Sequence, residues 1–282
     1  MLTLTVVRHG ESTDNLRPVW AGWANAPLSV HGMNQAKALG ESLKATRIDA
    51  IFASDLLRAL WTAQQIEGSQ ADPRPSLTVS PLLREQHFGK AEQQPFGEKG
   101  GYVRQPGRRF KFEEGENLDD VRERAHQAIA QFIEPLLRES RGRPAESKHI
   151  AVVAHGIFNS EFIGALLSRR PHSQHLSWSY RGMTNTGWTR LEVGYASETS
   201  RCPTPQFDTH PQNVNLSSLP GSPPPATFDE DCPPLLTRIL ATDVTTHLEG
   251  VHRQKGGIGS QGYDSKQKDL RSFFSGASTN SE

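Results

Sequence analysis

Apolar residues recur along the chain in short blocks that alternate between the period of a strand and the period of a helix. The pattern predicts strands over residues 2–7, 48–53, 77–80, 149–154, 186–193 and 235–244. It predicts helices over residues 30–45, 56–66, 116–139 and 157–168. Strands that alternate with helices favour an α/β fold with a mostly parallel central sheet.

Local signals mark where several of these helices begin and bend. Ser29 is placed to cap the first helix, and Ser54 with Asp55 is placed to cap the second. Pro135 falls late in the third helix, and we expect it to kink the last turn.

Two stretches without periodic pattern divide the chain. Residues 194–233 are rich in Pro, Ser, Thr and Asp and predict a low-complexity, disordered insertion. Apolar alternation returns at 235–244, which we expect to pair with 186–193, so that the insertion interrupts a hairpin. The last part of the chain is again rich in Gly, Lys and Ser. We therefore predict one domain over residues 1–250 and a disordered tail over residues 251–282.

Composition narrows the range of partners. The 282 residues carry 31 basic and 31 acidic side chains, so net charge provides no general attraction to nucleic acid or to an anionic membrane. No apolar run has the length of a transmembrane helix, and the short stretch before Arg8 leaves no room for a signal peptide. We expect an intracellular protein, cytoplasmic or nuclear or both, with no direct contact to nucleic acid or membrane.

The sequence predicts no metal site. Cys202 and Cys232 lie in the poorly patterned region, lack the spacing of metal ligands, and are not expected to form a disulfide in a reducing compartment. His172 and His175 have the spacing of a ligand pair, but they lie in a loop without a clear third ligand.

Candidate chemistry begins where the first strand ends. Arg8, His9 and Gly10 directly follow its last apolar residue, and open α/β sheets bind ligands at the carboxyl ends of their strands. His155 follows a second apolar strand in the same way. Arg58 falls in the first turn of a helix, beside an N-terminus that attracts anions. These positions predict a site for an anionic ligand at one edge of the sheet.

Five blocks of sequence cover roughly the first two thirds of the chain. They are Arg8-His9-Gly10-Glu11-Ser12-x-x-Asn15; Gly22-Trp23 through Pro27-Leu28-Ser29, Gly32 and Gln35-Ala36; Ser54-Asp55-Leu56-x-Arg58-Ala59-x-x-Thr62-Ala63; Leu83-x-Glu85-x-x-Phe88-Gly89; and Val152-Val153-Ala154-His155-Gly156. In this order the blocks resemble the histidine phosphatase superfamily, which has a phosphoglycerate-mutase-like fold. The resemblance implies a three-layer sandwich in which helices flank the mostly parallel sheet.

The resemblance implies that His9 is the nucleophile of a phosphatase. A neutral imidazole can attack phosphorus in line and form a phosphohistidine, which divides one difficult displacement into two steps. Arg8 and Arg58 would neutralise the phosphoryl oxygens in place of a metal, because guanidinium groups bind such oxygens bidentately. Glu85 would protonate the leaving alcohol and later activate water.

Three further residues match the phosphate pocket of the family. The resemblance implies that a protonated His155 contacts the phosphate and that Asn15 also binds it. Gly156, directly after a strand, would offer a backbone N–H to a phosphoryl oxygen. The implied ligand is a small phosphorylated metabolite, and no cofactor is implied.

The chain departs from the family pattern in ways that predict unusual substrate recognition. Asn25 stands where Asp is common, Lys90-Ala91-Glu92 replaces an aromatic residue, and Gly115-Glu116-Asn117 replaces Gly-Glu-Ser. Residues 84–115 lack a period and contain a basic segment that precedes acidic residues. Two interpretations stay open, a solvated loop and a flap that attracts an anionic substrate. The basic residues are Lys99, Arg104, Arg108, Arg109 and Lys111.

Phosphatase and mutase activities are both compatible with these motifs. Glu85 and His155 are 70 residues apart, which is shorter than in the mutases, whose longer insert helps to enclose phosphoglycerate. A more open pocket admits water and favours hydrolysis. We therefore expect a phosphatase, with a phosphoglycerate-type mutase as the alternative.

The tail contains a second motif, which resembles the peptide that binds the replication sliding clamp PCNA. Gln267, Leu270, Phe273 and Phe274 match its glutamine, aliphatic and paired aromatic positions. On one helical turn the three apolar side chains would meet and fill an apolar pocket. Alternatively, these side chains dock on the domain itself or at a dimer interface. A recruitment protein that acts mainly through this tail is therefore a third hypothesis.

Overall fold

The computed structural model describes residues 1–97, 101–141, 147–170, 182–195 and 234–264, and a six-stranded sheet forms its centre. The strands are β1 Leu2–Arg8, β2 Ala50–Ser54, β3 Ser76–Ser80, β4 Lys148–Ala154, β5 Trp188–Tyr195 and β6 Leu235–Val244. The helices are α1 Val30–Leu43, α2 Leu57–Ser69, α3 Leu118–Ala128, α4 Glu134–Glu139 and α5 Gly156–Ser168. The strand order is β3-β2-β4-β1-β5-β6.

The sheet is mixed but mostly parallel, as predicted. The strands β1, β2, β3 and β4 run parallel to one another. β5 pairs antiparallel with β1, and β6 pairs antiparallel with β5. The expected pairing of the last two strands is therefore confirmed. Most of the intervening insertion, residues 196–233, lies outside the described residues.

Helices cover both faces of the sheet and produce three layers. Side chains alternate between the faces along β1, so Leu4 and Val6 join the core beneath α3 and α5, whereas Val7 joins the core beneath α1 and α2. Val152 and Val153 of β4 divide between the two cores in the same way. A parallel sheet buried on both faces explains why these strands are apolar throughout.

The predicted helix over residues 116–139 is divided into three parts. α3 ends at Ala128, Ile129–Ile133 forms a π-helical turn, and α4 follows. Within the turn, the Glu134 N–H donates to the Ile129 carbonyl, five residues back. Pro135 has no N–H for the α-helical bond to residue 131, and the wider turn lies directly before it. The distortion therefore lies one turn earlier than predicted.

The start of α2 also differs from the prediction. Leu56, not Ser54 or Asp55, is the N-cap residue and makes no side-chain capping bond. The Leu57 N–H instead donates to Asn25 Oδ1 at 2.8 Å, from a distant loop. Asp55 is unavailable because both of its carboxylate oxygens accept from Arg84, at 2.7 and 2.6 Å. The predicted Ser29 cap of α1 is present, with Ser29 Oγ accepting from the Gly32 N–H.

Residues 251–264, which we call the strap, pack on the domain although the sequence suggests that a disordered tail begins at 251. The Tyr263 N–H donates to the Leu28 carbonyl, and the Val30 N–H donates to the Gln261 carbonyl. The Tyr263 ring lies edge-on to Trp61 at 5.7 Å between centroids. Backbone pairing, an aromatic contact and an ion pair described below hold this segment, and none of them is visible in a Gly- and Lys-rich composition. The remaining tail, including the motif at 267–274, lies outside the described residues.

Candidate active site

Two histidines stand side by side at the carboxyl ends of β1 and β4. The parallel register pairs Arg8 with Ala154, and the His9 N–H donates to the Ala154 carbonyl at 3.0 Å. The imidazoles of His9 and His155 are consequently 5.0 Å apart between centroids, and both are buried. The structure thus brings together two residues that are 146 positions apart in the sequence.

His9 is held as a neutral imidazole of one tautomer. Its Nδ1 lies 2.6 Å from the Gly10 carbonyl, which can only accept, so Nδ1 carries the proton and Nε2 keeps its lone pair. Burial, followed by the charges of Arg58 and Arg8, lowers the pKa of His9 well below its usual value of 6.5. The Gly10 N–H donates to Thr62 Oγ1 at 3.0 Å and fixes the loop that sets this orientation.

The surroundings of His155 in the unliganded protein oppose the protonated state that the family resemblance implies. Burial lowers its pKa well below 6.5, and the neighbouring Arg58 and His9 lower it further. One ring nitrogen, Nε2, is 2.9 Å from Ser54 Oγ. Burial and the nearby charges of Arg58, Arg124 and Arg8 therefore favour a neutral ring in the unliganded protein.

Arg58 is buried, and backbone carbonyl groups bind its charged guanidinium group. Its guanidinium donates to the carbonyls of Gly22 and Ala24, both at 2.7 Å. Burial lowers the pKa of Arg58 to about 10, against the opposing effect of Glu85 and other carboxylates, so the group stays charged at neutral pH. Among the described residues no carboxylate lies within ion-pair distance of Arg58, and the positive charge remains available to an anion.

Two buried nitrogen atoms beside His9 have no hydrogen-bond partner within the described part of the chain. They are Nε of Arg8 and Nδ1 of His155. Arg8 is anchored through another nitrogen, Nη1, which donates to the Met183 carbonyl. Unpaired buried polar atoms are costly, so both nitrogens are suited to bind a further group such as an anion.

Glu85 lies against the first turn of α5. Its carboxylate accepts from the backbone N–H groups of Ile157 at 3.1 Å and Phe158 at 2.9 Å. These two N–H groups have no acceptor within the helix, so they fix the carboxyl group of Glu85 beside His155. Gly156 is the first residue of the same helix, and its N–H has no acceptor within the helix. That N–H remains suited to the phosphate contact predicted for it.

Asn15 is held by a capping box around a short 3₁₀ turn. Its Oδ1 accepts from the Ser12 N–H at 3.0 Å and from Asn185 Nδ2 at 3.3 Å, which leaves its own amide N–H₂ as the donor for a ligand. Asn185 also donates to the His9 carbonyl at 3.0 Å. Asn185 and Met183 are site residues that sequence analysis misses, because they precede β5 in a loop without a periodic pattern.

The departures from the family pattern fall around the loop that holds Arg58. Glu92 Oε1 accepts from the N–H groups of Trp23 at 2.8 Å and Phe88 at 3.1 Å, and so ties this loop to residues 84–116, which we call the flap. Ala91, within the segment that replaces an aromatic residue of the family, is buried in an apolar cluster with Phe88 and Phe112.

Two basic residues in the described part of the flap, Arg108 and Lys111, lie close to acidic side chains. Arg108 binds Glu161 of α5 through two bonds of 3.0 and 2.8 Å, and Lys111 lies 3.5 Å from Asp120. Phe88, Ala91 and Phe112 pack against one another, but most of residues 101–114 are exposed, and both interpretations stay open. Pairing with acidic residues, however, reduces the attraction of the flap for an anionic substrate. Lys99 lies outside the described residues.

Neither a metal cluster nor a membrane-spanning helix occurs within the ranges that the structure describes. No three His, Cys, Asp or Glu side chains there are grouped to hold an ion. None of the helices there is both long and apolar enough to cross a bilayer. His172, His175, both cysteines and the tail residues Gln267, Leu270, Phe273 and Phe274 lie outside those ranges.

Known proteins are similar to this chain in sequence. A probable phosphatase of Schizosaccharomyces pombe is 29% identical over 276 residues, covering 97% of this chain and 80% of its own length. The 2,3-bisphosphoglycerate-dependent phosphoglycerate mutase of Chlamydia trachomatis is 29% identical over 187 residues, covering 55% of this chain and 80% of its own length.

A solved structure and a family model extend the similarity to the fold. Mycobacterial glucosyl-3-phosphoglycerate phosphatase in complex with VO3 superimposes with a TM-score of 0.56 at 25% identity, covering 71% of this chain and 95% of that one. The model of the histidine phosphatase superfamily (branch 1) matches residues 4–201. This match spans more than half of the chain and includes every core residue of the site described above. The chain therefore belongs to the histidine phosphatase superfamily, branch 1.

Proposed function

We propose that this enzyme hydrolyses the phosphomonoester of a small metabolite through a phosphohistidine at His9, without a metal ion. The observation that carries the proposal is the state of His9, a buried neutral imidazole with Nδ1 bound to Gly10 and its lone pair on Nε2. Such a group can act as a nucleophile at neutral pH without a base to deprotonate it.

The phosphate group would bind between the two arginines. Arg8 and Arg58 supply the positive charge that a metal supplies in other phosphoryl-transfer enzymes. Asn15, His155 and the Gly156 N–H add neutral donors. Because Arg58 is anchored by carbonyls and not by a carboxylate, binding of the dianion does not require an ion pair to break first.

In the first step, His9 Nε2 attacks phosphorus and the bond to the leaving alcohol breaks. Glu85 gives its proton to the leaving oxygen, which departs as the alcohol. In the second step, Glu85 takes a proton from water, the oxygen of that water attacks the phosphohistidine, and phosphate leaves. His9 then regains its lone pair. In the mutase alternative, a second substrate hydroxyl takes the place of water.

His9→Ala should abolish hydrolysis of p-nitrophenyl phosphate because no nucleophile replaces the imidazole. Wild-type activity should persist in EDTA, because the arginines hold the phosphate. Phosphate release would be measured over a panel of sugar phosphates, nucleotides and phosphoglycerates, with His252→Ala as the control for loss of a surface histidine.

Hydrolysis that EDTA removes would contradict the metal-free route. Transfer between phosphoglycerates that outruns phosphate release would favour the mutase.

Glu85→Gln should slow hydrolysis of alkyl phosphates by about 10²–10⁴-fold, because the alkoxide then leaves without a proton. p-Nitrophenyl phosphate should be much less affected, since nitrophenolate is a stable leaving group. The comparison requires kcat for both substrate types in the wild type, in Glu85→Gln and in the control Glu67→Gln. An equal loss with both substrates would argue against a general acid at position 85.

The lowered pKa values of His9 and His155 make a prediction about pH. A group whose pKa lies below 6.5 is already neutral at pH 6.5 and gains its proton only as the pH falls further. NMR titration of the unliganded protein should therefore show both imidazoles changing only below pH 6.5, with assignment through His9→Ala and His155→Ala. A midpoint at or above 6.5 for His9 would remove the basis for a neutral nucleophile.

We further propose that the tail motif binds a sliding clamp of the PCNA type, in the nucleus. The support is the match of Gln267, Leu270, Phe273 and Phe274 to the clamp-binding pattern, close behind a strap that is anchored to the domain. Molecules of this protein in the cytoplasm would then act only as phosphatases of small metabolites.

A fluorescent peptide of residues 262–280 should bind PCNA with a micromolar dissociation constant in a polarisation assay, because two aromatic anchors fill an apolar pocket. The matched control replaces Phe273 and Phe274 with Ala. Equal binding by both peptides, or no binding at tens of micromolar, would reject this proposal and leave the catalytic one intact.

A further inference from the structure

Glu11, two residues after the proposed nucleophile, is a largely buried carboxylate that depends on the strap. Ser29 Oγ donates to its Oε1 at 2.7 Å. Arg253 Nη1 donates to the same oxygen at 2.9 Å, and Arg253 Nη2 donates to Oε2. Arg253 therefore donates to both carboxylate oxygens, in the forked geometry that makes arginine–carboxylate pairs strong.

The backbone of Glu11 belongs to the loop that orients His9. Its N–H donates to Gln35 Oε1 at 3.0 Å, and its carbonyl accepts from the Ser29 N–H at 2.8 Å. The preceding residue, Gly10, provides the carbonyl that binds His9 Nδ1. There is little space for adjustment, because a Cβ at Gly10 would lie 2.5 Å from the Gly32 carbonyl oxygen. A displacement of Glu11 would thus be passed to His9.

Arg253 is itself fixed from the other side of the strap. Its Nη1 also lies within reach of Ser260 Oγ at 3.3 Å and of the Gly259 carbonyl at 3.4 Å. The strap continues into the backbone pairing of Gln261 and Tyr263 with the start of α1. The ion pair therefore joins two anchored segments, which lowers the entropy cost of holding the long arginine side chain in place.

We propose that Arg253 is a positioning residue for the phosphatase reaction, acting through Glu11 to hold the Gly10 carbonyl against His9 Nδ1. The inference rests on the proposed function of His9. Loss of Arg253 leaves an uncompensated carboxylate in a mostly buried site, and such a group moves towards water or draws in other donors. Either movement displaces the loop at Gly10 and weakens the selection of the His9 tautomer.

Arg253→Gln should lower kcat by between about tenfold and a hundredfold, the range expected when a reacting group is misplaced by a fraction of an ångström to one ångström. Lys255→Gln removes the same charge from the same segment, at an exposed residue, and should leave kcat unchanged. The double variant Glu11→Gln with Arg253→Gln should recover part of the lost kcat, because the uncompensated charge is gone. If Arg253→Gln does not fold, Arg253→Lys takes its place. Lysine keeps the charge but cannot donate to both carboxylate oxygens in the forked geometry, so its kcat should fall below that of the wild type by less than the loss expected for Arg253→Gln.

The ¹⁵N spectrum of the His9 imidazole provides a readout independent of turnover. Wild type and Lys255→Gln should show the Nδ1-protonated tautomer, whereas Arg253→Gln should show a mixture. An Arg253→Gln variant with wild-type kcat and a wild-type His9 spectrum would overturn the proposal, as would a double variant with no recovery. If the wild type itself lacks phosphatase activity, the proposed function fails, and the spectrum still decides whether the strap orients His9.

Discussion

The parallel pairing of β1 with β4 is the constraint on which the rest of the site depends. Its register puts Arg8 opposite Ala154, so the chain leaves both strands at the same level of the sheet and carries two histidines into contact. A shift of one residue would turn every side chain of β1 to the opposite face and exchange its two apolar cores. The core and the site are therefore fixed by one set of backbone hydrogen bonds.

The arginines of this structure differ in role according to the groups that bind them. The cations nearest the proposed phosphate site, Arg8 and Arg58, are bound by carbonyl groups and keep their charge for a ligand. Cations at the periphery, such as Arg108 and Arg253, are bound by carboxylates and serve to hold segments together. Two neutral imidazoles lie between the inner cations, because burial and positive charge both oppose their protonation.

Sequence patterning predicts the parts of this structure that follow from local chemistry. The apolar strands, the Ser29 cap and the pairing of β5 with β6 are all recoverable from periodicity and turn residues. Sequence patterning misses interactions between residues that are distant in the chain. Examples are the cap that Asn25 provides for α2 and the ion pair of Arg253 with Glu11, which lies 242 positions earlier. The lowered pKa of His155 is not visible in the sequence for the same reason, since it reflects burial of the ring and then the cations around it.

The hairpin of β5 and β6 has a consequence for how the chain can vary. Tyr195 pairs with Leu235 in register, at the end of β5 remote from Arg8, because β5 runs opposite to β1. The two ends of the intervening segment are thus held one strand apart whatever its length, and doubling that length costs only about 0.6 kcal/mol in loop-closure entropy. A change in the length of this segment therefore acts at the far end of β5, and not at the edge of the sheet where His9 and His155 lie.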